Sequence, residues 1–108
     1  MPVHRKKRRY INFWLEGDDG FSLKGVADAV QRSVLALYGV QGLSRIEPNL
    51  IEFDEGVQSG ILRCNNSHLR EMRASLAFIT SIGESAAAIH VERVSGTIRS
   101  LKKGGENA

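Results

Sequence analysis

Cysteine is nearly missing from this chain: Cys64 is the only one in 108 residues. A lone thiol closes no internal disulfide and builds no cysteine cage for a metal, so nothing points to secretion or to a structural zinc. A CxxC pair, which a small metal-carrying domain would need, is absent. The three histidines, His4, His68 and His90, lie far apart, and none has a cysteine or acid at ligand spacing. No apolar run approaches the roughly 18 residues that cross a bilayer, so no membrane partner is expected. The chain starts with basic residues but lacks the apolar stretch that follows them in a signal peptide, and a cytoplasmic location is expected.

The composition that remains is that of an ordinary globule, 42% apolar and 25% charged. A chain this short makes one domain, burying roughly 65% of its unfolded surface. That suffices for a two-layer core and leaves no room for a large cavity with lids. The net charge of +3 hides a strong asymmetry. Arg5, Lys6, Lys7, Arg8 and Arg9 give residues 1–9 a charge of +5, while the rest of the chain carries −2. A second basic group, Arg93, Arg99, Lys102 and Lys103, lies near the other end. Basic ends around an acidic middle suggest a polyanionic partner. A five-residue run by itself is as often a solvated tail, and the second cluster weighs against that reading.

Hydrophobic periodicity orders the elements. Tyr10 to Glu16 alternates, with Ile11, Phe13 and Leu15 on one side and Tyr10, Asn12, Trp14 and Glu16 on the other: a half-buried strand. The turn GDDG, residues 17–20, ends it. Ser22 is an N-cap candidate, and Phe21 can staple onto Val26. Leu23, Val26, Ala27, Val30, Val34 and Leu37 recur at helical spacing, and Gly39 and Gly42 are expected to stop that helix. A strand over residues 45–54 contains Pro48, which removes a ladder donor and suits an edge position. Glu55-Gly56 connects it to a strand over 57–64. Asn66 or Ser67 caps a second helix with the stripe Leu69, Met72, Leu76, Ile79 and Ile82, stopped by Gly83. A fourth strand covers 87–94, and a turn or short helix leads into a polar tail.

The order β-α-β-β-α-β predicts an α+β fold: a ferredoxin-like sandwich, with a four-stranded antiparallel sheet and two helices on one face. Right-handed crossovers give the strand order 4-1-3-2, the topology shared with RNA-recognition domains. The expected layout is a basic arm over 1–9, a single domain over 10–103 and a flexible tail over 104–108. In this topology the end of the last strand lies beside the start of the first. The two basic clusters then converge on one pole. Glu16, Asp18, Asp19, Asp54 and Glu55 gather at the other, where a solvated rim is the simpler reading.

The sheet face away from the helices is expected to carry Tyr10, Asn12, Trp14, Ile61, Arg63, Ala88, His90 and Val94. Aromatic and basic side chains on an open sheet can stack unpaired bases. The third strand, VQSGILRC, has no aromatic, so the strong form of that signature is missing. Tyr10, Trp14, Ile61 and Val94 therefore fit a protein interface equally well. Cover by the chain's own tail is a third reading. No residue is assigned a catalytic role. His68 near a helix start and His90 on a strand are more often surface or satisfied residues than bases, and Cys64 ends a strand as a small hydrophobe. An acylphosphatase would need an arginine and open backbone donors after the first strand, where GDDG places repelling carboxylates.

Three segments, RRYINFWLEG from Arg8, GILRC from Gly60 and VSGTIRSLKK from Val94, together resemble ribonuclease P protein component 2, the Pop-five family. The resemblance runs from Arg8 to about Lys103, and its most specific piece is Gly96-Thr97-Ile98-Arg99. The short chain is similar to archaeal members; longer members continue into a further helix. The resemblance implies a subunit without chemistry of its own. A catalytic RNA, using Mg²⁺, removes the 5′ leader from precursor tRNA. The protein pairs with ribonuclease P component 3, two such pairs assemble into a heterotetramer, and each pair supports the RNA. Arg8, Arg9, Arg63 and Arg99 fall in the matching segments.

The residues and the resemblance together give these expectations. Arg5, Lys6, Lys7, Arg8, Arg9, Arg63, Arg99, Lys102 and Lys103 contact ribonuclease P RNA, and precursor tRNA is reached through the holoenzyme. Tyr10, Trp14, Ile61 and Val94 form a partner interface. The chain binds no cofactor; the Mg²⁺ belongs to the RNA. The competing readings are a stand-alone single-strand RNA binder using Tyr10, Trp14 and Arg63, and a ligand-binding regulatory domain of the same fold.

Overall fold

The structure, a computed structural model, describes residues 7–106, with side chains through Lys102. Its main sheet has four antiparallel strands: β1 (Arg8–Glu16), β2 (Asn49–Asp54), β3 (Ser59–Asn65) and β6 (Ala88–Ser95). Their order is β2-β3-β1-β6, the 4-1-3-2 arrangement expected of the fold, with the last strand counted as fourth. Helices α1 (Leu23–Ile46) and α2 (Leu69–Phe78) cover one face. A short hairpin, β4 (Ser81–Ile82) with β5 (Ser85–Ala86), follows α2. A third helix, α3 (Ile98–Glu106), ends the described chain.

The core follows the alternation of β1. Ile11, Phe13 and Leu15 point under the helices and are buried, meeting Val26, Val30 and Val34 of α1 and Met72 and Leu76 of α2. Phe13 stacks on Phe53 of β2 with ring centroids 6.2 Å apart. Gly60 of β3 makes that stack possible. A Cβ there would come within 2.6 Å of the Glu52 carbonyl oxygen and about 3 Å of both rings.

Capping is as the residues suggest at α1 and one residue early at α2. The Ser22 hydroxyl accepts from the Gly25 amide at 3.0 Å. The Asn65 side chain accepts from the Ser67 amide, opening a 3-10 turn over Asn66–His68 that feeds α2.

The expected helix ends need correction. Gly39 interrupts α1 with φ 71° and ψ −171°, but the helix resumes and runs to Ile46. Glycine pays no steric penalty for that backbone, so it bends the helix without ending it. Leu43 and Ile46 return to the core, and Glu47, left-handed at φ 53°, closes the helix by donating to the Leu43 carbonyl. Strand β2 accordingly starts at Asn49, and Pro48 lies just outside it, on the edge side as expected. Likewise α2 stops at Phe78. Ile79 and Ile82 are buried as the stripe requires, but from extended chain. The β-branched residues Ile79, Thr80 and Ile82 favour that conformation, and Gly83, at φ 64°, turns the β4–β5 hairpin.

On β6 the register against β1 shifts. Phe13 pairs with Val91 but Asn12 pairs with Arg93, so Glu92 is an extra residue, a β-bulge. The shift reverses the parity of the strand end. Val94 pairs with Ile11 and packs against the core, and Arg93 and Ser95 take the outer face in its place. The boundaries expected at the chain ends also move. Arg8 and Arg9 belong to β1 and not to an arm, and α3 runs through Glu106, into the stretch expected as tail.

Candidate nucleic-acid interface

The sheet face opposite the core helices is half covered. Leu101 of α3 is buried to 1% exposure and Ile61 of β3 to 6%, yet neither belongs to the core cluster beneath α1 and α2. Helix α3 packs against β6 and β1, and Lys102 Nζ reaches Glu52 Oε1 on edge strand β2 at 3.2 Å. The helix therefore crosses the outer face with Leu101 turned inward and Arg99 and Lys102 exposed. The Thr97 hydroxyl caps it, accepting from the Ser100 amide at 3.1 Å. The specific segment Gly96-Thr97-Ile98-Arg99 is thus the start of a helix that replaces an open apolar face with a basic one.

Strand pairing fixes how the charges share one end. Ser95, two residues before the Thr97 cap, pairs with Tyr10, and Tyr10 pairs with Arg63 on its other side. Arg8 and Arg9, at the start of β1, pair with Asn65 and Cys64. Arg9 Nε donates to Asn66 Oδ1 at 2.6 Å, which orients its guanidinium. Arg8 lies 3.6 Å from Glu47 in a partly exposed ion pair. The Arg63 Nε is buried and has no hydrogen-bond partner among the described residues. A buried donor left unmatched costs about 1–3 kcal/mol. Lys7 is exposed. Arg5 and Lys6 lie outside the described residues, as does the side chain of Lys103.

Sequence reasoning placed Arg93 in the second basic cluster but not on the outer face, where the bulge moves it, and missed Arg45, whose carbonyl accepts from Asn65 at this same end. A bulge leaves no reliable mark in the hydrophobic pattern; Arg45 was hidden inside a misplaced strand.

The expected partner surface is broken up. Ile61 lies buried on the α3 side and Val94 faces the core. Tyr10 is half-buried, and Trp14 remains 40% exposed. Trp14 stacks on His90, its cross-strand neighbour, with centroids 4.3 Å apart and 19° between planes. His90 Nε2 lies 2.7 Å from Glu16 Oε1.

The opposite end is acidic, and much of it has local work. Glu55 Oε2 accepts from the Leu23 amide at the start of α1, and Asp19 accepts from Ser85. Among the described residues, no group of three or more His, Cys, Asp or Glu is placed to hold a metal ion. Burial pushes the Cys64 thiol up to about 11, against a nearby Arg9 charge that lowers it, so the thiol stays neutral. No helix among the described residues is long and apolar enough to cross a membrane.

This geometry defines a class: a small ferredoxin-like domain with oppositely charged ends and a sheet face overlaid by a basic helix. Residues 9–104 match the model of the Rpp14/Pop5 family, and the chain belongs to that family. It is 39% identical over 102 residues to ribonuclease P protein component 2 of Thermococcus gammatolerans, covering 94% of this chain and 85% of that protein. The protein of the same name from Pyrococcus furiosus is 36% identical over the same shares of both chains. That from Methanocaldococcus jannaschii is also 36% identical, covering 94% of this chain and 74% of that protein. Among solved structures, a chain in the cryo-EM structure of yeast ribonuclease MRP superposes with a TM-score of 0.71 over 98% of this chain and 94% of that one. At 14% identity that likeness speaks for the fold alone.

Proposed function

We propose that this chain is a non-catalytic protein subunit of ribonuclease P, bracing the catalytic RNA while that RNA removes the 5′ leader from precursor tRNA. The observation that carries the reading is the convergence of Lys7, Arg8, Arg9 and Arg63 with the basic helix α3 toward one end of the sheet, in a chain of the Rpp14/Pop5 family. Lys7, Arg8, Arg9, Arg63, Arg99 and Lys102 neutralise phosphates on strands that would otherwise repel one another. Arg5, Lys6 and Lys103 extend the same charge. The Mg²⁺ of the reaction is held by the RNA. Precursor tRNA is reached through the holoenzyme, ribonuclease P component 3 is the protein partner, and two such pairs form a heterotetramer acting in the cytoplasm.

A stand-alone RNA binder that stacks bases across the sheet face is less well supported. Leu101 lies over that face, and Ile61 is buried with it. The test is a cleavage assay combining a ribonuclease P RNA, this chain and component 3, followed across Mg²⁺ concentrations with each protein omitted in turn. The reading expects cleavage at low Mg²⁺ only with both proteins. Unchanged cleavage on omission of this chain refutes it.

A further inference from the structure

Helix α3 leaves the acidic end of the outer sheet face bare. One cross-strand row runs there: His90 on β6, Trp14 on β1, Ser59 on β3 and Asp54 on β2. Glu16 lies two residues beyond Trp14 on the same face. With neighbouring strands about 4.8 Å apart, the backbones carrying Trp14 and Asp54 are separated by about 10 Å. Only Ser59 stands between them, and its hydroxyl is turned down to donate to the Phe13 carbonyl at 3.1 Å. The row is therefore a shallow recess, with an indole wall, a carboxylate wall and a small polar floor. One face of the indole is taken by His90.

Each carboxylate keeps an oxygen for a ligand. Glu16 engages His90 through Oε1, and Asp54 accepts from the Gly56 and Val57 amides through Oδ1. Neither Glu16 Oε2 nor Asp54 Oδ2 has a hydrogen-bond partner among the described residues. Exposed Asp18, Asp19 and Glu55 lie in the loops at the same end of the sheet, Glu55 turned to the start of α1 and Asp19 to β5, and the row itself holds no lysine or arginine.

We infer that this recess receives an arginine side chain projecting from a different protein, the guanidinium stacking on the free face of Trp14 and pairing with Asp54, while Glu16, across the indole beside His90, adds negative charge. Arginine fits because it is planar, permanently charged, stacks on aromatic rings and forms paired hydrogen bonds to carboxylates. Charge excludes the two other occupants. RNA phosphates would meet Glu16, Asp54 and their neighbours. A second copy docked about a two-fold axis would set one acidic end against another. The assignment of a protein partner from the same assembly rests on the function proposed above; the chemistry of the recess does not.

Trp14 is the chain's single tryptophan, so its indole N–H gives one NMR signal that reports on this site. The experiment titrates the full chain with two nonapeptides, identical except that three arginines in one are lysines in the other. Component 3 and a ribonuclease P RNA are then added in separate runs. The inference expects a saturable shift with the arginine peptide, about 3-fold weaker binding of the lysine peptide, and at least about 5-fold weaker binding to the Glu16→Gln, Asp54→Asn double variant. The glutamine and asparagine keep the acceptors that His90 and the 54–57 turn use, so the fold is retained. No saturable shift with either peptide overturns the inference, as does equal binding by the double variant. A shift that appears with RNA, or one that grows with the chain's own concentration, also overturns it. If the arginine peptide shifts the signal and component 3 does not, the recess stands and the pairing with component 3 falls.

Discussion

Lys102 and Glu52 meet at the edge of the sheet remote from where α3 begins, Nζ to Oε1 at 3.2 Å. The helix follows β6, one edge strand, and its basic residue ends over β2, the other edge. The chain's own C-terminal segment thus overlies a surface that a related topology would leave open for bases. The ion pair is exposed on both sides, and exposed pairs contribute at most about 1 kcal/mol. Lys102→Ala should leave the melting temperature nearly unchanged.

Leu101 is the actual anchor. Truncating a fully buried leucine costs about 2–5 kcal/mol, and Leu101 is 1% exposed. Leu101→Ala should therefore lower stability by an amount in that range and release α3, with Ile61 becoming exposed. Amide exchange over 98–102 checks the release. Protection that survives the substitution would show that α3 is held by something other than this contact.

Gly60 lies where the two stacked phenylalanines leave no space. Gly60→Ala places a methyl against the Glu52 carbonyl and the rings of Phe13 and Phe53, and overpacking of this kind costs about 1–3 kcal/mol. Urea denaturation should show a lower midpoint with an unchanged slope. RNA binding should be retained wherever the variant remains folded.

Much of this was legible in the sequence because periodicity reports burial. The alternation of Tyr10 to Glu16 gave the correct faces for β1, and the valines of α1 lie where their spacing puts them. What periodicity could not report was geometry that costs no hydrophobic mismatch. The bulge at Glu92 exchanges Val94 for Arg93 without changing composition, and Gly39 bends a helix it was expected to end. Ile79 and Ile82 satisfy a helical stripe and are buried, but as extended chain. The amphipathic character of Ile98, Arg99, Leu101 and Lys102 is visible in the sequence, and it suits a segment that covers the outer sheet face. Val94 now distinguishes core from interface. Val94→Ser should cost about 1–2 kcal/mol of stability, read by thermal melting, and leave protein-partner affinity unchanged once folded.

Cys64 offers a pH signature. Its thiol, normally near 9.0, is raised to about 11 by burial, so the folded chain holds this proton longer than the unfolded chain does. Its contribution to stability is constant below about pH 9 and declines between roughly 9 and 11, as the unfolded thiol ionises first. At pH 8 the thiol should resist alkylation in buffer and react fully in denaturant. Rapid labelling of the folded chain would mean that the packing around β3 opens readily.

Charge reversal at the basic end separates electrostatic grip from fold. Arg99 is exposed on α3, so Arg99→Glu should leave the melting temperature within about 0.5 kcal/mol equivalent of the parent. If Arg99 contacts a phosphate, binding to ribonuclease P RNA should weaken. The log–log dependence of affinity on salt should also flatten by about 0.7–0.9 for each contact removed. Glu16→Gln, at the opposite end, should leave that slope unchanged. An unaltered slope for Arg99→Glu would remove this residue from the phosphate-gripping surface and leave Lys7, Arg8, Arg9 and Arg63 to account for it.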